Sequence, residues 1–432
     1  MLVSFIKKSQ FYFIFSFLGL IGAGTLLLRL PILRGGRELS WIDALFTATS
    51  SVCVTGLVTV NITDFSLLGQ IIVMILIQLG GIGIMTMSGS ILVIMGKNIS
   101  WSESKILSNM TDNYSPHSVE SMMRTIIGYT IIVESVGMFL LIAAFMFDGF
   151  SFIDALWHSL FHSVAAFCNA GMSTLPHNLE YTSGMVKVVV GVLVILGGIG
   201  MYVVYDFMQA FMQHRKMRVN TKLILITSFL LIVAGTFLLK YYQYRSNNNI
   251  SWMDAAFQAV SARTAGFNSV PMNILAPGSV LVLIFLMLIG GAPGSTAGGM
   301  KVTTFALVMA AIYNTFCGNE KVLIFKRKIA TSTVLKAFTI AITFIVLSAV
   351  GAGIFQGLTK IEMQRAAFEV ISALGTVGMS LGMDGNYNDK AKLFIILYMF
   401  VGRIGPLTLL VFLLGREKKS KLLYPEEKII IG

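Results

Sequence analysis

Four short sequences in this chain have a glycine just before their last residue and have the residue types needed to hold an ion. They occupy residues 41–57, 152–172, 252–267 and 363–379, and the first reads WIDALFTATSSVCVTGL. Their glycines are Gly56, Gly171, Gly266 and Gly378. Glycine permits positive backbone dihedral angles, and a narrow ring of carbonyl oxygens replaces the hydration shell of an alkali cation. The sequence therefore predicts a cation filter built from four backbone segments.

Three residues in each segment fit the role of carbonyl ligands, because they are small or polar and end at the glycine. The triplets are Val54, Thr55 and Gly56; Asn169, Ala170 and Gly171; Thr264, Ala265 and Gly266; and Thr376, Val377 and Gly378. The potassium-channel sequence TVGYG has a second glycine, which all four segments lack. Strict preference for potassium over sodium is therefore left open.

The composition is that of a membrane protein. Hydrophobic residues make up 56% of the 432 residues and charged residues only 12%, against about 25% charged residues in soluble domains. The net charge of +12 comes from basic residues clustered at the ends of apolar segments, as in HRKMR at 214–218 and FKRK at 325–328. This distribution follows the positive-inside rule, so we assign those ends to the cytoplasm and exclude nucleic acid as a partner.

A second motif follows each filter segment at nearly constant distance. From Gly56 to Gly80, and at the matching positions in the other three copies, the spacing is 24, 26, 24 and 24 residues. A helix-length apolar run precedes and follows every filter segment, so each unit reads as helix, short segment, helix. Because the basic linkers lie on one side, each short segment must enter the membrane and return. Irregular backbone at that depth must line water or be buried in protein.

These patterns predict an all-α membrane protein with four tandem helix–pore helix–filter–helix repeats. The repeats surround one pseudo-fourfold pore and contribute eight transmembrane helices. The predicted boundaries are 1–98 for repeat 1, 99–218 for repeat 2, 219–328 for repeat 3, and 329–432 for repeat 4 with a cytoplasmic tail.

The four filter glycines and the four-unit plan resemble the Trk/Ktr/HKT superfamily of potassium transporters, most closely the membrane subunit of the bacterial Ktr system. The resemblance covers nearly the whole chain. It implies ion-binding carbonyls within Cys53–Gly56, Cys168–Gly171, Arg263–Gly266 and Gly375–Gly378. Glycine at 56 favours potassium as the transported ion, with sodium as an open second candidate.

The resemblance also implies an assembly. The membrane subunit would be a homodimer embedded in membrane lipid, with a separate cytoplasmic ring of nucleotide-binding regulatory subunits. It would lie in the bacterial plasma membrane with both termini in the cytoplasm. The residues alone do not distinguish a docking face for such a ring from a solvated, topology-setting basic face.

The third repeat continues into GGAPGSTAGGMKVTT, residues 290–304, which would interrupt a helix in mid-membrane. We expect an irregular gating loop, as the resemblance also implies; the alternative is a packed kink without a gating role. A lone arginine, Arg403, replaces a motif glycine in the fourth repeat, and charged residues at membrane depth usually serve function. Snorkelling to the interface is the alternative, but Arg416 already marks the end of that helix. The expected gate residues are Gly290, Gly291, Gly294, Ser295, Thr296, Gly298, Gly299, Lys301 and Arg403.

Other polar residues receive structural interpretations. Asp43, Asp154 and Asp254 lie near the starts of the pore helices, where a carboxylate caps free amides, although ion recruitment is an alternative; the fourth repeat has Arg365 instead. His158 and His162 have a helical metal spacing but no third ligand. Glu134 receives no role.

We expect a potassium uptake subunit with no enzymatic activity. A secondary carrier with a broken-helix substrate site is the alternative. Such carriers usually have paired repeats with one or two interrupted helices, so four matching filters fit a carrier poorly. No pair of aspartates or zinc-type triad suited to an intramembrane enzyme is evident.

Overall fold

The computed structural model describes residues 2–36, 38–83, 116–319, 321–382 and 387–405, and nearly all of its regular structure is helical. The one sheet in these residues is an antiparallel hairpin of Leu323–Ile324 (β1) and Arg327–Lys328 (β2). The predicted all-α class is confirmed.

Three kinds of helix recur in the same order. The first helices are α1 (Leu2–Leu28), α4 (Pro116–Phe147), α8 (Val219–Arg245) and α12 (Thr331–Thr359). The short helices are α2 (Trp41–Val52), α5 (Phe152–Phe167), α9 (Trp252–Ser261) and α13 (Met363–Leu374). The second helices are α3 (Leu67–Ile82), α6 (Gly184–Gly198), α10 (Pro277–Leu288) and α14 (Asp389–Ile404). Two further helices, α7 (Met201–Met212) and α11 (Val302–Phe316), follow α6 and α10.

The long first helices face outward over most of their surface. Residues 126–147 of α4, together with α8 and α12, are long and apolar enough to cross a membrane, and at most 33% of each apolar window is buried in the protein. Large side chains such as Phe139, Phe229 and Leu335 are more than 60% exposed. Such surfaces suit a hydrocarbon environment, so the chain is embedded in a membrane.

The second helices do not all run straight. Helix α6 and residues 203–212 of α7 are bent by 86° at a short break, and together they have the length and composition of a broken span or a re-entrant loop. The prediction of eight crossings stays a prediction, because residues 84–115 and 406–432 lie outside the described part of the chain. The repeat boundaries at 98/99, 218/219 and 328/329 likewise stay predictions.

Each second helix packs against the short helix of the next unit. Helix α3 contacts α5, α6 contacts α9, α10 contacts α13, and α14 contacts α2. The last contact joins the fourth unit to the first, so the four units close into a ring. The short helices are buried inside this ring, as the fully buried Phe46, Phe161 and Phe368 show.

Polar bonds join neighbouring units at the start of the short helices. Lys187 Nζ of α6 lies 2.9 Å from Asp254 Oδ1 of α9, and Lys392 Nζ of α14 lies 2.7 Å from Asp43 Oδ1 of α2. Between the first and second units, Trp157 Nε1 donates to Gln70 Oε1 of α3 at 2.8 Å. Because two of the three aspartates pair with lysine, they do not present free negative charge to an ion.

The same aspartates also take part in helix caps. Ser40 Oγ accepts from the Asp43 amide at 3.0 Å and donates to its carboxylate at 2.7 Å. The same two bonds form between Ser151 and Asp154, and between Ser251 and Asp254. The predicted capping by the aspartate carboxylates is therefore wrong in detail: the serine hydroxyls cap the amides left free at these helix starts, and each carboxylate accepts from the capping serine.

Replacing Lys392 with methionine should destabilise the ring at its closing contact. The change preserves side-chain length but leaves the Asp43 carboxylate, which is 16% exposed, without its ammonium partner. The cost should be about 2 kcal/mol, between the values for exposed and fully buried pairs. The midpoint of thermal unfolding in detergent measures it. Lys390→Met, an exposed lysine in the same turn, is the matched control, and equal shifts would contradict the assignment.

Candidate ion filter and its loop

The backbone after each short helix takes an unusual conformation at every second residue. Within the four candidate filter segments, residues 53–56, 168–171, 263–266 and 375–378, the second residue and the glycine both have positive φ. The second-residue values are 53° for Val54, 61° for Asn169, 77° for Thr264 and 49° for Thr376. The glycine values are 100° for Gly56, 64° for Gly171, 77° for Gly266 and 94° for Gly378. All four segments therefore share one backbone path.

This path is strained. Val54, Thr264 and Thr376 are β-branched, and positive φ for such residues is a genuine outlier. Left-handed conformations cost about 1–2 kcal/mol per residue. They persist only where the surroundings determine the backbone, which occurs mainly at functional sites.

The amides of the segments bond back to the short helices. The Thr55 amide donates to Ser50 O at 2.8 Å, and the Gly56 amide donates to Ser50 Oγ at 3.1 Å. In the fourth unit, Ser372 Oγ accepts from the Gly378 amide at 3.1 Å. In contrast, the Thr55 carbonyl oxygen accepts no hydrogen bond from any described residue. A serine six residues before the glycine in these two units was the sequence signal for this support, and our sequence analysis missed it.

The glycines and the neighbouring carbonyl groups form a closed ring. A Cβ atom added to any of the four glycines would lie within 2.7 Å of a carbonyl oxygen in the next unit. In ring order, Gly56 meets Ala170 O, Gly171 meets Ala265 O, Gly266 meets Val377 O, and Gly378 meets Thr55 O. No side chain fits in these positions. The structure thus brings the four predicted triplets together around one axis.

A cavity of about 200 Å³ opens beside the ring and is lined by all four glycines. Glu180 and Ser173 also line it. Asn178, a residue that sequence reasoning missed, supports its wall: its Nδ2 donates to Gly171 O at 3.3 Å, and its Oδ1 accepts from the Asn268 amide at 3.4 Å. Asn178 has a φ of 53°, and asparagine tolerates this conformation better than most residues.

The predicted irregular loop follows α10. The Gly290 amide donates to Met300 O at 2.8 Å, and the Val302 amide donates to Gly291 O at 3.0 Å. The expected limit at residue 304 is wrong, because α11 begins at Val302. Residues 302–304 contain neither glycine nor proline, so nothing prevents helix formation after Lys301. Residues 290–301 are called the loop below.

The loop lies directly against the filter segments. A Cβ atom on Gly298 would overlap Thr376 Oγ1, and one on Gly290 would lie 3.2 Å from Thr264 Cγ2. Thr296 Oγ1 lies 3.2 Å from the side-chain amide of Asn169 and donates to Phe167 O at 3.0 Å. The second residues of three segments therefore touch the loop.

Three basic side chains hold the loop through backbone oxygens. Arg403 donates to Thr296 O at 2.6 Å and to Gly80 O at 2.5 Å. Lys301 Nζ donates to Ala297 O at 2.7 Å. Within the described residues, no carboxylate forms an ion pair with Arg403, Lys301 or Arg263.

Arg263 is the third of these cations, although its backbone belongs to a candidate filter segment. Its Nη2 donates to Ser228 Oγ at 3.1 Å and to Gly290 O at 3.2 Å. The side chain thus joins the loop to α8. The other expected loop residues, Gly294 and Ser295, lie within the loop, and Ser295 Oγ donates to Ala292 O at 2.7 Å. Gly299 lies beside Gly375 O.

Two further polar groups lie behind the second filter segment. Glu134 accepts from Gln78 Nε2 at 3.1 Å, and Gln78 Oε1 lies 3.3 Å from Cys168 Sγ. Glu134 therefore has a bonding partner that sequence reasoning did not assign. His158 and His162 bond to Thr174 and Ser173 respectively, and the described residues contain no group of three metal-ligating side chains.

Comparison with known proteins defines the class. Residues 9–420 match the TrkH family model, described as cation transport protein, so the chain belongs to this family of membrane transporters. It is 34% identical to Ktr system potassium uptake protein B of Bacillus subtilis over 95% of this chain and 93% of the relative. It is 32% identical to potassium/sodium uptake protein NtpJ of Enterococcus hirae, covering 96% and 95%.

The fold of a solved transporter is similar as well. The crystal structure of the potassium transporter TrkH from Vibrio parahaemolyticus matches with a TM-score of 0.73 and 19% identity, covering 94% of this chain and 85% of that one. The expected superfamily is confirmed, and the family, the relatives and the solved structure are transporters rather than enzymes.

Gly378→Ala should destabilise the ring. The new Cβ would overlap Thr55 O at a φ of 94°, so the backbone strain of about 1–2 kcal/mol adds to a clash with backbone atoms that cannot rotate away. The midpoint of thermal unfolding should fall clearly below that of the wild type. Gly353→Ala is the control, because nothing lies within 4 Å of its added Cβ and alanine favours a helix. An unchanged midpoint in Gly378→Ala would refute the ring geometry.

Proposed function

We propose that this chain is the ion-conducting membrane subunit of a potassium uptake system. The closed ring of glycine and carbonyl contacts carries this proposal, because backbone carbonyl oxygens of four units come close together in it. Two relatives that are similar to this chain over nearly their whole length are named for potassium uptake, which supports the proposal. The ion gradient and membrane potential would drive flux, since the membrane potential alone does work on each charge that crosses.

The filter would consist of the carbonyl oxygens of residues 53–56, 168–171, 263–266 and 375–378. The short helices end at these segments, so the negative ends of their dipoles favour a cation there. Sodium stays a second candidate, because one relative is named for both ions. A four-unit ring also favours a pore over a secondary carrier, which typically binds its substrate at one or two interrupted helices.

The gate would be the loop with Arg403. The loop touches three filter segments, and Arg403 and Lys301 carry positive charges that bind its carbonyl oxygens. A positive charge held by carbonyl oxygens in a low-dielectric setting repels a second cation strongly. Movement of the loop would carry the barrier away from the ion path.

The assembly proposed for the chain is a homodimer in the bacterial plasma membrane with both termini in the cytoplasm. The Ktr system names of the relatives support partner subunits, and we propose a cytoplasmic nucleotide-binding regulatory ring. The linker at 213–218 offers a docking face, because buried Asp206 holds it in place. Arg215 Nη2 lies 2.8 Å from Asp206 Oδ1, and the Arg218 amide donates to Asp206 Oδ2 at 3.1 Å.

Rubidium uptake into liposomes containing the purified chain tests the function. An imposed inside-negative potential should drive uptake that unlabelled potassium competes away. Liposomes without protein give the background. Absence of flux both from the chain alone and from variants with an opened gate would count against the pore.

Gly56→Ser should relax ion selectivity. A side chain at this position must displace Ala170 O at a φ of 100°, which disturbs the spacing of the carbonyl oxygens. We expect potassium preference over sodium to fall about tenfold, the effect of roughly 1.4 kcal/mol. Sodium competition against rubidium uptake measures it. Gly357→Ser is the control, because its added Cβ has open space; unchanged selectivity in Gly56→Ser would remove the filter assignment there.

Arg403→Ala should raise the basal flux. It removes both bonds to Thr296 O and Gly80 O together with the positive charge, so the loop loses an anchor and the path loses a barrier. A deletion within residues 294–299 should act in the same direction. Rubidium uptake should rise about tenfold or more, as expected for loss of a barrier exceeding 1.4 kcal/mol. Arg365→Ala, outside the loop, should leave uptake unchanged, and a decrease in folded Arg403→Ala would oppose the gate.

A further inference from the structure

One position in the short helices holds a polar residue behind the filter in every unit. It directly follows the buried phenylalanine of each helix and is occupied by Thr47, His162, Gln258 and Glu369. All four residues are at most 1% exposed. Burying a polar or ionisable group is costly unless it is bonded, so the partners of each residue indicate its role.

Glu369 holds the backbone just beyond the filter glycine of the fourth unit. Its Oε1 accepts from Ser380 Oγ at 2.8 Å and from the Leu381 amide at 2.9 Å. Ser380 lies two residues after Gly378 and lines the cavity beside the ring. The carboxylate therefore links α13 to the backbone that continues from the filter.

His162 makes the corresponding contact in the second unit. Its Nδ1 lies 2.7 Å from the carbonyl oxygen of His158, which can only accept, so Nδ1 carries the hydrogen. In the neutral ring Nε2 is then an acceptor, and it lies 2.8 Å from Ser173 Oγ. Ser173 is two residues after Gly171 and in turn accepts from the Leu175 amide at 3.0 Å.

The other two units lack this contact. The side-chain oxygen and nitrogen of Gln258 and the hydroxyl of Thr47 have no hydrogen-bond partner among the described residues. The second and fourth units lie opposite each other in the ring, since the carbonyl oxygen nearest each glycine's added Cβ belongs to the next unit in order. Glu369 and His162, each bonded to a serine, thus support the ring from two opposite sides.

We propose that Glu369 and His162 are positioning residues that set the discrimination between potassium and sodium. They act through Ser380 and Ser173, which hold the filter glycines at a fixed distance from the short helices. Sodium is the smaller ion, and a ring that is free to contract coordinates it better. This inference rests on the proposed function, because it requires that the ring bind the transported ion.

Sodium competition against rubidium uptake in liposomes tests the inference with Glu369→Leu and His162→Leu. Each variant removes the acceptor for a serine hydroxyl, so sodium should compete about fivefold better, the factor expected for one ordinary hydrogen bond. Glu369→Gln, which retains an acceptor oxygen, should restore most of the selectivity. Gln258→Leu is the matched control at the same depth and should retain wild-type selectivity.

Unchanged sodium competition in conducting Glu369→Leu and His162→Leu would overturn the inference. Equal loss of selectivity in Gln258→Leu would overturn it as well, since general packing would then be the cause. If the leucine variants do not fold, Ser380→Ala and Ser173→Ala remove the donors instead, and unchanged competition in both refutes the inference. Absence of rubidium uptake in the wild type and in gate-opened variants would instead refute the proposed function.

Discussion

The rest of this structure depends on holding backbone carbonyl oxygens of four units close together at the centre of a membrane protein. Hydrocarbon cannot satisfy such groups, so four packed units separate them from the lipid. The short helices accept hydrogen bonds from amides of each segment, so these amides do not compete for the carbonyl oxygens of the ring. The glycines let neighbouring units approach closely. Strain at Val54, Thr264 and Thr376 is tolerated because four packed units determine the backbone together.

The basic residues near the loop are also bonded to backbone oxygens, but here the aim is to keep a charge rather than an acceptor. Arg263, Lys301 and Arg403 use backbone oxygens of the loop and adjoining helices as acceptors. An acid beside them would cancel their charge, whereas carbonyl groups satisfy the hydrogen bonds and leave the charge in place. The loop is thus held in position by the same groups that give it a positive potential.

Repetition explains why the sequence predicted so much. Four glycine-ended segments indicated the unit, its short helix and the ring, and the glycines in 290–301 indicated an interrupted helix. Contacts between units were not predictable. Lys187 and Asp254 are 67 residues apart, and their pairing requires the packing of α6 on α9. The direction of the Arg263 side chain and the bond from Glu369 to Ser380 depend on helix rotation, which residue spacing alone does not fix.

The closing contact between α14 and α2 has a consequence for biosynthesis. Asp43 meets Lys392, and Thr55 O meets Gly378, so the first unit needs the fourth to complete its surroundings. During translation, the earlier segments emerge hundreds of residues before their last neighbours. The newly made first unit therefore lies in the bilayer without the contacts from the fourth unit until that unit has been synthesised. Premature termination within the fourth unit would leave an open assembly, a natural substrate for membrane quality control.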